Sequence, residues 1–181
     1  MADDDHHDHG APPTHHHDDP ASLGVAVLTV SSSRSLEDDD SGDAIQALLE
    51  DAGHTVVTRE LVRDDFDRVQ GIVARLCGRG DVDMVVTTGG TGVTPDDVTP
   101  EAILPLLDRE LPGFGELFRS RSEAEVGTRA MLSRAVGGVV GDVPVFCLPG
   151  SENAARLGVE ELIVPEATHL VGMTKRDETE E

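Results

Sequence analysis

The 181-residue chain has no tryptophan, no tyrosine and only four phenylalanines, so its core has to be assembled from aliphatic side chains. Lysine is nearly missing as well. Of the 14 basic residues all but Lys175 are arginine. The two cysteines, Cys77 and Cys147, have neither the number nor the spacing of a metal cage or a disulfide framework. They read as small buried hydrophobes in a reducing compartment. No apolar run approaches the roughly 20 residues of a membrane-spanning helix, and the acidic N-terminus lacks a signal-peptide pattern. A cytoplasmic location is the expectation.

Positive charge is the scarcest commodity. Asp and Glu total 36, which leaves a formal net charge of −22 at pH 7. Such a chain offers no basic patch to nucleic acid or to an anionic membrane, and neither is expected as a partner. Self-repulsion at this charge strains a compact fold in dilute buffer. In molar salt the Debye length falls to about 3 Å and most of the repulsion is screened. Dense carboxylates with almost no lysine therefore point to an extreme halophile.

The length suits one α/β domain with a full core. Residues 1–21 form a separate acidic tail that carries six of the eight histidines and has almost nothing to bury, so disorder is expected there. Histidines beside aspartates also make a weak divalent-metal site, the basis of a metal-carrier reading. The domain is expected over 22–174, with a second acidic tail over 175–181. Leu23 to Val30 is a continuous apolar run of strand length. A helix follows from Ser41 to about Asp51, then a strand over 54–62, a helix from about Asp65, and a strand over 82–88. Further helices are expected at 99–107, around Leu117 and Phe118, at 152–162 and from Pro165. Runs 134–140 and 143–148 make a hairpin across Gly141-Asp142. Strands alternating with helices predict a three-layer α/β domain whose open, mostly parallel sheet is covered on both faces.

The most informative segment is Thr87-Thr88-Gly89-Gly90-Thr91-Gly92, followed by Val93-Thr94-Pro95-Asp96-Asp97-Val98-Thr99-Pro100-Glu101-Ala102. It forms a glycine-rich loop between a strand and a helix. Glycine lets backbone N–H groups close round an anion, and a helix N-terminus adds partial positive charge. Thr99 reads as the N-cap and Pro100 as the first helical residue. The Gly-Lys-Ser/Thr ending of a Walker A loop is missing. A phosphate-bearing ligand with a divalent metal on Asp97 is the chemistry this pattern fits. Loops at 31–42 and 149–151 leave strands at the same sheet edge, where ligands of open α/β sheets bind.

The glycine motif with Asp97 to Ala102 resembles the signature of the MoaB/Mog family of molybdenum cofactor biosynthesis proteins. Asp40-Ser41-Gly42, Pro112 to Glu116, Ser133 to Val139 and Leu148-Pro149-Gly150-Ser151 add to the likeness, in the right order over residues 23–173. The stretch Arg121 to Ala135 is closer to the MoaB branch. The resemblance implies a molybdopterin-binding fold and transfer of AMP from Mg-ATP to the terminal phosphate of molybdopterin, with release of pyrophosphate. The product is then handed to the molybdate-inserting enzyme. It also implies a homotrimer or homohexamer. Two carboxylates carry metal and nucleotide in this family. One matches Asp97, and the other matches Asp64, or Asp65 if the register slips by one. Gly89, Gly90, Thr91, Gly92 and Gly150 are the phosphate-cradling positions, with Ser31, Ser32, Arg34, Ser41, Arg134 and Ser151 as further anion contacts. The position before the loop aspartate is often arginine in the family and here is Asp96. That difference leaves a second reading, a molybdopterin-binding or scaffold protein without catalysis.

Overall fold

The computed structural model describes residues 20–175 of the chain. Six strands form one sheet: β1 (Gly24–Val30), β2 (Thr55–Val62), β3 (Met84–Thr88), β4 (Arg109–Glu110), β5 (Val136–Val140) and β6 (Val143–Leu148), in the order β2-β1-β3-β6-β5-β4. β2, β1, β3 and β6 run parallel. β5 is antiparallel to β6 and β4 is antiparallel to β5. The Gly141-Asp142 turn is the tight hairpin expected: Val140 pairs with Val143, and Gly141 takes φ +60.

The helices are α1 (Asp40–Asp51), α2 (Phe66–Cys77), α3 (Thr99–Ile103), α4 (Pro112–Val126), α5 (Glu152–Gly158) and α6 (Val164–Thr174). Successive residues of β1 serve opposite faces. Val25 and Val27 join the core beneath α1, α4, α5 and α6, while Ala26, Leu28 and Val30 join the one beneath α2 and α3. β3 and β6 divide alike, with Val86, Phe146 and Leu148 on the first face and Val85, Val145 and Cys147 on the second. Each fully buried aliphatic side chain in these layers contributes about 1.5–3 kcal/mol of transfer free energy. Continuous apolar strands are what a sheet covered on both faces requires.

Several local expectations change. α1 begins one residue early because Asp39, not Asp40, is its N-cap, accepting from the Gly42 N–H. α3 is a short helix followed by a 3-10 turn at Leu104–Leu106, since Pro105 cannot continue the hydrogen-bond ladder. Thr99 sits at the first helical position, its side chain turned back to the glycine loop rather than capping. The helix around Leu117 runs 15 residues. The expected helix over 152–162 opens into a π-turn at Val159–Ile163 and continues into α6. Pro165 has no N–H for the Glu161 carbonyl, which accepts from the Arg121 guanidinium instead at 2.9 Å. Lys175, expected in the acidic tail, caps α6 and ion-pairs with Asp83. The disorder and metal-binding expectations for the N-terminal tail lie outside the described residues, apart from Pro20 and Ala21.

Candidate functional site

All four parallel strands end on one cleft of about 610 Å³. β1 supplies Val30 and the serines and Arg34 of the following loop, and β2 is followed by Asp64. β3 supplies Gly89 to Gly92 and Asp97, while β6 supplies Pro149, Gly150 and Ser151. The carboxyl edge of the sheet is therefore the site's floor, as expected of such folds.

The glycines are dictated by what presses on them. Gly89 and Gly90 take φ +98 and +64, values that side chains rarely adopt. A Cβ on Gly89 would collide with the Val30 carbonyl, and one on Gly90 would strike the Thr99 hydroxyl and lie 3.2 Å from Asp64 Oδ1. On Gly92 it would lie 2.7 Å from Asp97 Oδ2. The two carboxylates thus flank the glycine loop, Asp64 at Gly90 and Asp97 at Gly92. The Thr99 hydroxyl donates to the Gly89 carbonyl at 2.8 Å, and its N–H donates to the Gly90 carbonyl at 3.0 Å. α3 is pinned directly to the loop it follows.

Asp97 is half-buried. Burial alone would raise its carboxyl pKa. Hydrogen bonds from the Thr94 hydroxyl at 2.6 Å and the Thr94 N–H at 2.8 Å, a Gly92 N–H and the Arg134 charge outweigh that and hold it below the usual carboxylate range. It is ionised at neutral pH and suited to a cation. Asp64 accepts from the Ser32 hydroxyl at 2.6 Å while its own N–H donates to the same oxygen. Asp65 is turned away as the N-cap of α2, accepting from the Arg68 N–H. Of the two adjacent aspartates, Asp64 is the one in the cleft.

Two other candidates have different positions from those expected. The Arg134 guanidinium donates to the Gly92 carbonyl at 2.6 Å and the Asp97 carbonyl at 2.8 Å, and pairs with Glu101. It clamps the loop from behind, outside the residues that line the cleft. Ser41 is fully buried and likewise outside that lining. Ser31, Ser32, Arg34, Gly150 and Ser151 do line it, although Ser151 also caps α5. Leu132 and Ser133 complete one wall. Ser133 sits in a quoted motif, but nothing in its spacing marked it as a wall residue. Asp39 and Arg59, which form an ion pair at 2.9 Å with the carboxylate buried and the guanidinium half-buried, carry no motif beyond an acidic run and an ordinary strand arginine. Asp96 is exposed at the loop tip.

Residues 26–169 match a family model described as "Probable molybdopterin binding domain". The chain belongs to the MoaB/Mog family. It is 47% identical over 152 residues to the molybdenum cofactor biosynthesis protein B of Bacillus anthracis, covering 83% of this chain and 90% of that protein. Its fold matches a crystal structure of molybdenum cofactor biosynthesis protein B with TM-score 0.85 at 45% identity, over 87% of this chain and 99% of the other. It also matches the tungsten cofactor synthesizing protein MoaB from Pyrococcus furiosus with TM-score 0.77 at 38% identity, over 87% and 99%. Among the described residues no helix is long and apolar enough to cross a membrane.

Proposed function

We propose that this member of the MoaB/Mog family acts in molybdenum cofactor biosynthesis as an adenylyltransferase. A terminal phosphate oxygen of molybdopterin attacks the α-phosphorus of ATP. The new P–O bond forms as the bond from the α-phosphorus to the bridging oxygen breaks, and pyrophosphate leaves with the electron pair. The observation that carries the reading is the pair of carboxylates, Asp64 pressed against Gly90 and Asp97 against Gly92 of one glycine-rich loop. A glycine cradle flanked by two aspartates fits a polyphosphate that carries Mg²⁺, since the carboxylates would repel the bare anion. Asp97 and Asp64 would hold the Mg²⁺, which supplies charge neutralisation on the transferred group. The loop N–H groups would orient the phosphates, and Arg34 would add charge at the mouth.

The adenylylated pterin is the substrate for a molybdate- or tungstate-inserting enzyme, the expected downstream partner. A homotrimer or homohexamer is the assembly this reading includes, and an extreme halophile is the source that the charge supports.

The test is pyrophosphate release with molybdopterin and Mg-ATP in molar KCl. The wild type is expected to release pyrophosphate only when pterin is present, and Asp97→Ala to lose at least about a hundredfold in rate, the scale of losing one electrostatic group in the transition state. A mutant as fast as wild type removes Asp97 from the catalytic role.

The second reading, pterin binding without transfer, is favoured by Asp96. This exposed acid adjoins Asp97 at the loop tip, where the family often has arginine. Its signature is a folded protein that binds molybdopterin and releases no pyrophosphate.

A further inference from the structure

Arg34 is the one basic side chain among the described residues that line the cleft, in a chain of formal charge −22. Its guanidinium Nη1 donates to the Ser41 hydroxyl at 3.0 Å and to the Gly150 carbonyl at 3.0 Å, so it bridges the loops after β1 and β6. The Arg34 N–H also donates to the Ser31 hydroxyl at 3.2 Å. Ser41 is able to accept from Arg34 only while its own proton points elsewhere. That proton goes to Asp39 Oδ1 at 3.1 Å.

Asp39 is fully buried, and its charge is held in place on every side. Its carboxylate accepts from the Thr29 hydroxyl at 2.6 Å, the Gly42 N–H at 3.1 Å and the Arg59 guanidinium at 2.9 Å. Arg59 pairs in turn with Asp43. Burial alone would raise the Asp39 pKa, but the hydroxyl, guanidinium and N–H donors outweigh it and keep the group ionised. An ionised Asp39 is an acceptor only, so the Ser41 hydroxyl has one orientation available.

We propose that Arg34 is the anion-contacting cation of the cleft, and that Ser41, oriented by buried Asp39, is a positioning residue that acts on the ligand only through Arg34. This rests on the polyphosphate reading of the cleft. The serine never touches the ligand, and its acceptor lone pair is the functional part. The ligand class is a polyphosphate, whose charge the pinned guanidinium meets without paying the entropy of ordering a free arginine.

The measurement is equilibrium binding of inorganic tripolyphosphate with Mg²⁺ to the full chain in molar KCl, by calorimetry. The proteins are wild type, Arg34→Ala, Ser41→Ala and the double variant. Circular dichroism melting of each reports whether it folds. Arg34→Ala is expected to bind about tenfold or more weakly, the scale of losing a charged hydrogen-bond partner. Ser41→Ala should weaken binding by a smaller factor, and the double variant should bind no more weakly than Arg34→Ala alone. Independent, multiplying losses would show that Ser41 acts without Arg34 and overturn the proposal while leaving the cleft reading intact. An unchanged Arg34→Ala affinity overturns it equally. A wild type that binds no tripolyphosphate overturns the cleft reading itself, and this inference with it. Should Ser41→Ala fail to fold, Asp43→Asn serves as the outer control. It leaves the Asp39–Ser41–Arg34 chain in place, and the proposal expects near wild-type affinity from it.

Discussion

Gly90 shows how closely the site limits a single position. An added methyl would meet the Thr99 hydroxyl at a backbone angle of φ +64. Gly90→Ala is therefore expected to destabilise the fold by about 1–3 kcal/mol through strain alone, read as a lower urea midpoint. An unchanged midpoint would mean the loop relaxes freely and is no rigid cradle. His54 makes a separate prediction. It is buried, and burial lowers its pKa below the ordinary 6.5. The unfolded chain therefore takes up a proton near pH 6.5 that the folded imidazole refuses. Stability from His54 is complete above that pH and is lost as pH falls through the lowered folded value. Asp39 and Asp97, both lowered from 3.8, behave the same way at more acid pH: their contributions are present above 3.8 and lost below. Urea midpoints should fall from pH 7.5 to 5.5 in the wild type and stay nearly level in His54→Asn. Equal slopes in the two proteins would remove His54 as the cause.

α4 carries two of the chain's four aromatics. Phe114 and Phe118 lie on one helix with ring centroids 6.4 Å apart, and Phe114 meets Phe146 of β6 at 4.8 Å. With no tryptophan or tyrosine elsewhere, this cluster is where aromatic packing contributes. Phe118 is 1% exposed, so Phe118→Ala should cost about 3–5 kcal/mol, measured by urea denaturation. A loss below about 1 kcal/mol would mean the helix collapses into the cavity rather than leaving it open. β6 illustrates the opposite case. Its Cys147 is completely buried, with the thiol pushed up to about 12, while Cys77 on α2 is pushed up to about 11. Both shifts disfavour the thiolate; Cys147 is the small buried hydrophobe expected, whereas Cys77 is only half-buried.

Charge acts on the molecule as a whole. A net −22 on the whole chain stores repulsion that no single ion pair relieves, and most of the pairs among the described residues are at the surface, where each contributes little. The melting temperature is expected to rise by more than about 10 °C between 0.1 and 2 M KCl as screening shortens the Debye length from about 10 Å to under 3 Å. A melting temperature independent of salt, with full folding in dilute buffer, would remove the halophile reading. The same screening bears on the cleft, where Asp64 and Asp97 would face the anionic ligand proposed above. For that reason binding and activity are best measured in molar salt.

Fold class and the edge that holds the cleft were legible in the chain because they follow from local pattern. Apolar runs of strand length alternate with amphipathic helices, and glycine-rich loops leave successive strands at one end. The glycine motif and Asp97 were legible for the same reason: backbone conformation and loop chemistry are local. The choice of Asp64 over Asp65 needed the fold, since neighbouring aspartates differ only in which one caps α2. So did the tasks of Arg134 and Ser41. A side chain's partners are set by which elements pack together, and their separation in sequence gives no sign of it. Arg134 reaches Gly92 and Asp97 across 42 and 37 residues, and Arg34 reaches Gly150 across 116. Asp39 was the least legible, because its burial against Arg59 arises only when β2 is laid beside β1.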